Sequence, residues 1–344
     1  MLLDIIIPQY SENEEVISNL LNSINNQNNV DFSHIKITIV NDFSNVILND
    51  EFLHSFNNLD INYIRNDKNT GPGPARQKGF DNTNGLYVMY CDSDDELYDL
   101  NSLWVIMDFI TKYEPDYLVS NIAIENEFGE YEIKKNKDTF PWMHGKVYKR
   151  QFLVDNEIRF HDDIRHVEDG YYTTCVLGVI DKEKIKYLDY ATYKWKNNTS
   201  SLTRSKSKYH YVVNTFDEFI KSPKYTYEFL VKKNSQIKYN YIISALFGIY
   251  IALNSNVFDY KELEERKNNY LNTLGEMVKA KRNLFIIYGK NKLSAIFDYE
   301  LAEICKRNKI SNVYKNLDDF YNEYLKWEFS NSFFSIVLES LKFF

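Results

Sequence analysis

The stretch Leu2-Leu3-Asp4-Ile5-Ile6-Ile7-Pro8 is apolar save for Asp4 and stops at a proline. A run without polar alternation predicts a strand covered on both faces, as in the centre of a parallel sheet. Ser11 and Glu14 follow in capping-box spacing, and Val16, Ile17, Leu20, Leu21 and Ile24 then repeat as one helical face. A second strand is expected over Ile35–Val40, finishing at Asn41-Asp42, and a short third over Ile61–Ile64. Asn69-Thr70-Gly71-Pro72-Gly73-Pro74 excludes regular structure and leads into a helix from near Ala75 to Phe80–Asn82; Leu86–Tyr90 is the fourth strand. This alternation predicts an α/β fold whose sheet is mostly parallel and flanked by helices.

Ligands of such sheets bind outside the carboxyl ends of the strands. Tyr10 and Glu12 follow the first strand, Asp42 the second, and Asp92 and Asp94 the fourth. In Cys91-Asp92-Ser93-Asp94-Asp95-Glu96 the first and third acids are two residues apart, so both carboxylates leave one side of the chain. Crowded carboxylates repel unless a cation neutralises them, and hard oxygen donors suit Mg²⁺ or Mn²⁺. The competing reading is a solvated acidic turn capping a helix around Asp99–Ile110. Polar groups at several strand ends favour the metal and nucleotide.

The chain has 344 residues, 44% of them hydrophobic, ample for one large or two medium domains. A net charge of −8 without a basic run disfavours phosphate-driven nucleic-acid binding. Three scattered cysteines, Cys91, Cys175 and Cys305, fit neither a disulfide framework nor a zinc site, which predicts a reducing cytosol. No secretory signal pattern opens the sequence, and Ile242–Leu253, the longest apolar stretch, is too short to span a bilayer; a soluble, cytoplasmic protein is expected. After about Ser205 helical periodicity dominates, over Tyr209–Phe219, Tyr225–Lys232, Tyr239–Leu253, Tyr260–Lys281, Leu293–Arg307 and Asp318–Trp327, with one strand expected at Leu284–Tyr288. Domains are therefore expected at 1–205 and 206–344. The last residues, including Phe333, Phe334, Leu341 and Phe344, predict a docking helix or an association or membrane-surface site.

Residues 1–205 resemble family 2 glycosyltransferases of the GT-A fold. Ile5-Ile6-Ile7-Pro8-Gln9-Tyr10-Ser11-Glu12 is similar to the family's IIPxYNxE, with Ser11 replacing Asn. Val40-Asn41-Asp42-Phe43-Ser44 resembles VDDGS, Asn69-x-Gly71-x-Gly73-x-Ala75-Arg76-Gln77-x-Gly79 the glycine and Ala-Arg-Asn segment, and Cys91-Asp92-Ser93-Asp94-Asp95 the Asp-x-Asp signature. Trp142-Met143-His144-Gly145-Lys146-Val147-Tyr148-Lys149-Arg150 is similar to the WGKLYKR of polysaccharide- and teichoic-acid-modifying members, with the role of His144 open; Val167-Glu168-Asp169-Gly170 resembles the element that supplies the base.

The resemblance implies inverting transfer from a UDP-sugar, assisted by Mn²⁺ or Mg²⁺. It places Pro8, Tyr10, Glu12, Asp42, Arg76, Asp92, Ser93, Asp94 and Arg204 at the donor nucleotide, Asp92 and Asp94 at the metal, and Asp169 as general base. In it Asp42 recognises uracil or ribose, and Arg204 lies on the loop after the base that closes over the pyrophosphate. Arg76 is read either as a phosphate contact or, preferably, as an ion-pair partner of Asp92 or Asp42. The bland reading of Glu168 and Asp169 is a helix start, where acids suit the dipole. His161 and His166 beside Asp162-Asp163 line a polar surface or supply a further ligand. The implied acceptor is a hydroxyl of a cell-surface polysaccharide or a teichoic-acid-like polyol phosphate. The alternatives are a phage-type transferase acting on modified DNA bases and an inactive nucleotide-sugar-binding module. The carboxy-terminal part is expected to contact acceptor, a second copy or the inner membrane surface.

Overall fold

A computed structural model of the chain describes residues 1–139, 142–198, 208–256, 261–308, 313 and 315–325. It falls into two compact units, Met1–Lys208 and Tyr209–Phe344.

In the first unit β1 (Leu3–Gln9) is flanked by β2 (Ile35–Asn41) and β4 (Tyr87–Tyr90), and β3 (Ile61–Arg65) lies outside β2, all parallel. Alternate residues of β1 serve opposite faces. Leu3, Ile5 and Ile7 join the core with Ile17, Leu20, Leu21 and Ile24 of α1 (Glu14–Asn25). Each such side chain contributes about 1.5–3 kcal/mol through burial. On the other face α3 (Pro72–Asp81) comes so close that a Cβ on Gly79 would lie 2.4 Å from Ile6 Cγ2 and 3.3 Å from Val40 Cγ2. The short α2 (Asp50–His54) links β2 to β3.

The second half of the sheet departs from the parallel expectation. The strand order is β3-β2-β1-β4-β8-β6-β9-β5, with β7 on β6. Here β5 is Glu96–Leu97, β6 Tyr117–Glu125, β7 Tyr131–Lys134, β8 Lys146–Lys149 and β9 Ile185–Trp195. β8 runs antiparallel to both β4 and β6, whereas β6 and β9 are parallel. The sheet is thus mixed, because these later strands are not joined by the repeated strand–helix crossovers that made the first four parallel. Helices α4 (Ser102–Tyr113), α5 (Arg150–Asp155) and α6 (Glu168–Val179) complete the unit.

Two helix starts differ from expectation. Asn13, not Ser11, caps α1, its side chain accepting from Val16 N at 3.1 Å, while the Glu12 carboxylate turns back to Tyr10 N. α3 begins at Pro72 rather than near Ala75, because proline's fixed φ suits the first helical turn. The acidic turn does not run straight into a helix; β5 intervenes before α4.

The second unit is helical: α7 (Lys208–Lys232), α8 (Lys238–Leu253), α9 (Glu264–Ala280), α10 (Arg282–Asn308, broken at Gly289) and α11 (Leu317–Phe320). Phe216, Phe247, Tyr250, Phe285, Phe297 and Phe320 fill its core. The two helices expected over 209–232 are one, with Pro223 inside, and the strand expected at 284–288 lies in α10. Trp327 and the apolar tail lie outside the described residues.

Candidate active site

At the end of β1, Gln9 is buried and its amide donates to Glu12 O at 3.0 Å and Val46 O at 3.2 Å. Its Oε1 accepts from Asn41 Nδ2 at 2.7 Å, tying the first two strand ends together. Pro8 is the penultimate residue of β1, and Tyr10 leaves that end half-exposed. Asp42 is fully engaged: its carboxylate accepts from Asn66 Nδ2, Thr70 N, Thr70 Oγ1 and Gly71 N, all at 2.7–3.1 Å. It therefore pins the loop that enters α3. Gly71 sits there at φ 92°, which favours glycine, and a Cβ on Gly73 would meet Glu168 Cβ at 3.1 Å.

That tight passage delivers Arg76 to the middle of three acids. Its guanidinium, 4% exposed, donates to Asp92 Oδ1 at 2.6 Å and Glu168 Oε1 at 2.8 Å, and lies 3.6 Å from Asp169 Oδ1. One permanently charged fork thus joins the end of β4 to the start of α6. Burial and the charge of Asp169 outweigh Arg76 and raise the Glu168 carboxyl to about 7. Asp169 Oδ1 is buried and accepts no hydrogen bond.

Asp92 also faces His144, whose Nε2 lies 3.1 Å from Asp92 Oδ2 and 3.7 Å from Asp95 Oδ2. Burial opposes ionisation of Asp92, yet Arg76 and His144 hold it well below the usual carboxylate range. The same contacts overcome burial at His144 and raise its pKa. The imidazole stacks on Trp195 (5.2 Å) and is flanked by Tyr193 (5.1 Å). Tyr193 Oη donates to Asp95 Oδ2 at 2.8 Å and accepts from Asp92 N at 2.9 Å. Burial, with the charges of Asp92 and Asp94, pushes the Asp95 carboxyl far up. Asp94, raised by burial and by Asp92, accepts from Asn198 Nδ2 at 2.8 Å. Ser93, between the two acids, is buried. Nearby, Lys146 is buried with one donated bond, to Thr139 O at 3.3 Å; desolvation pulls its ammonium down to about 7 against the attraction of Asp169.

The structure thus gathers Arg76, Asp92, Asp94 and Asp169 around one locus, with Tyr10, Glu12 and Asp42 at the neighbouring strand ends. Arg204 lies outside the described residues. Among the described residues, the one trio of His, Cys, Asp or Glu donors arranged for a metal is Asp92, Asp95 and His144, with ligand atoms within 4.8 Å of one another. His161 and His166 form no such group; His161 Nδ1 accepts from Asp163 N at 3.2 Å. Sequence reasoning missed Asp95, Tyr193 and the inward role of His144, since their partners lie about fifty to a hundred positions away. The one available signal was His144 itself, a titratable residue inside a recognised motif.

The amino-terminal residues 4–166 match the family described as "Glycosyl transferase family 2". Glycosyltransferase GlyA of Streptococcus pneumoniae serotype 4 is 26% identical over 94% of this chain and 49% of its own length. Poly(ribitol-phosphate) beta-N-acetylglucosaminyltransferase TarS of Staphylococcus aureus is 22% identical over 94% of this chain and 56% of its own. The chain spans about half the length of these relatives. In structure it is similar to S. aureus TarS 1-349 in complex with UDP (TM-score 0.62, 20% identity, 92% of this chain, 95% of that one) and with UDP-GlcNAc (TM-score 0.60, 19% identity, 92% and 95%). The likeness covers sheet and helical region alike, so the mixed sheet is a GT-A fold. The chain thus carries, over residues 4–166, a domain that matches glycosyltransferase family 2.

Proposed function

We propose that the chain moves a sugar, with inversion, from a UDP-sugar to a hydroxyl of a teichoic-acid-like polyol phosphate or a cell-surface polysaccharide. Supporting the donor and acceptor classes are the TarS complexes with UDP and UDP-GlcNAc and the poly(ribitol-phosphate) acceptor in that relative's name. The observation that carries the reading is Arg76: it fastens the strand-end acid Asp92 and stands beside Asp169, whose Oδ1 accepts no hydrogen bond.

In this mechanism Asp169 takes the proton of the acceptor hydroxyl as its oxygen attacks the anomeric carbon and the bond to the diphosphate breaks. General-base help of this kind is worth about 10²–10⁴-fold. Arg76 keeps the base and the strand-end acids at fixed separation and, being held by carboxylates, keeps Asp92 ionised. Tyr10, Glu12 and Asp42 shape the strand-end crevice for the nucleotide, with Pro8 and Ser93 setting the backbone there and Arg204 assigned to the diphosphate.

The donor set fits a hard divalent ion such as Mn²⁺ or Mg²⁺. Asp92, Asp95 and His144 converge within 4.8 Å, and Asp94 has Asn198 as its side-chain partner beside them. Asp92 and Asp94 are its proposed carboxylates, joined by Asp95 and His144. When bound, the ion neutralises charge on the leaving diphosphate. Residues 1–205 are proposed as the catalytic domain and 206–344 as the part that contacts acceptor, a second copy or the membrane surface. No helix among the described residues is long and apolar enough to cross a membrane; work at the cytoplasmic face is proposed.

Calorimetric titration with UDP, with and without Mn²⁺, tests binding, and mass spectrometry of ribitol-phosphate polymer incubated with a panel of UDP-sugars tests transfer. UDP binding strengthened by Mn²⁺ and a mass gain of one sugar are expected. Absence of UDP binding in either condition rejects the reading.

A further inference from the structure

Phe43 occupies an unusual place. It stands at the end of β2 with φ 61°, in the left-handed region that bulky residues avoid, and its side chain is half-exposed. The turn around it is held from both sides. Asp42 is pinned by its loop donors, Ser44 N donates to Asn41 Oδ1 at 2.8 Å, and Val46 N to Ser44 Oγ at 2.9 Å. Arg65, last residue of β3, donates to Ser44 O at 3.1 Å and places its guanidinium 5.2 Å over the Phe43 ring. Asp42 N donates to Gln9 O, so the half-exposed Tyr10 emerges one residue on from the same junction. Three adjacent strand ends therefore present two exposed rings and an arginine at the carboxyl edge of the parallel half-sheet. The family pattern that Val40–Ser44 resembles carries glycine at the position of Phe43, where the backbone would be unstrained. Keeping an aromatic ring there costs both strain and apolar exposure, and strain of this kind gathers at ligand sites.

We propose that Phe43, stiffened by Arg65, is a wall of the donor site on which the planar base of the nucleoside diphosphate stacks. This rests on the nucleotide-sugar reading above. The role differs from that of Asp42, whose oxygens are already taken by its own loop.

The test compares wild type, Phe43→Gly, Phe43→Leu and Phe43→Tyr by calorimetry with UDP and with inorganic pyrophosphate, alongside thermal unfolding. Phe43→Gly is expected to bind UDP about tenfold more weakly, as loss of one base–aromatic stack predicts, yet to unfold at a higher temperature because the strain is relieved. Phe43→Leu keeps the strain and loses the stack, so it binds weakly without gaining stability; Phe43→Tyr keeps wild-type affinity. Pyrophosphate, which has no base, binds every variant as it binds wild type. If wild type and Phe43→Gly bind UDP equally, or if pyrophosphate affinity falls in step with UDP, the proposal is overturned. If wild type itself binds no UDP, the nucleotide reading fails and this inference with it.

Discussion

At the residue scale the site is a problem in charge balance. Arg76 is one cation among Asp92, Glu168 and Asp169, with Asp94 and Asp95 close behind. Such a set cannot stay fully ionised in a buried place, so burial raises Glu168, Asp94 and Asp95, while contact with Arg76 and His144 keeps Asp92 charged. Lys146 is the converse case, a base forced toward neutrality. Its folded pKa of about 7 lies below the ordinary 10.5. Its contribution to stability is therefore complete above pH 10.5 and is lost as pH falls through about 7. Lys146→Met removes that dependence. Relative to wild type the variant should gain on the order of a few kcal/mol below pH 7, shrinking toward zero by pH 10. Denaturant unfolding at pH 6, 8 and 10 checks this; a gain independent of pH would contradict it.

At the scale of elements, the decisive contact is α3 against α6. Gly73 lets the first turn of α3 pass the start of α6, with Glu168 Cβ 3.1 Å and Cγ 3.2 Å from where a Cβ would stand. Gly73→Ala is expected to push Glu168 off Arg76. It should cost about 1–3 kcal/mol of stability and at least tenfold in turnover, measured by unfolding and by UDP-sugar consumption. Wild-type stability and turnover would show that this passage has slack. The glycines and Arg76 were legible from their spacing in the sequence, and so were β1, β2 and α1, whose burial follows local periodicity. Of the two expected ion-pair partners Arg76 takes Asp92; what could not be read was its second acid. Glu168 is ninety-two positions away, and only the packed sheet brings it to 2.8 Å. The cap of α1 escaped for a local reason: Asn13 competes with Ser11, and the Glu12 side chain is drawn back to the chain. Likewise the periodicity divides Tyr209–Phe219 from Tyr225–Lys232, yet α7 runs through both with Pro223 inside it.

At the scale of the molecule, one unit carries every described site residue and the other is an aromatic helical core. The parallel half of the sheet was readable because its crossovers contain helices. The mixed half was not, since β8 and β9 owe their places to tertiary pairing with β4 and β6. That half supplies His144 and Tyr193, the side chains that hold Asp92 and Asp95 from behind. The reaction proposed here needs both halves: strand-end acids from one, their supports from the other, and α6 to bring the base. Its central claim is that Asp169 removes the acceptor's proton. The direct measurement is single-turnover transfer by Asp169→Asn at saturating UDP-sugar, with UDP-sugar affinity measured on the same protein. The account predicts a rate lower by about 10²–10⁴-fold with affinity essentially unchanged; transfer at the wild-type rate would contradict it.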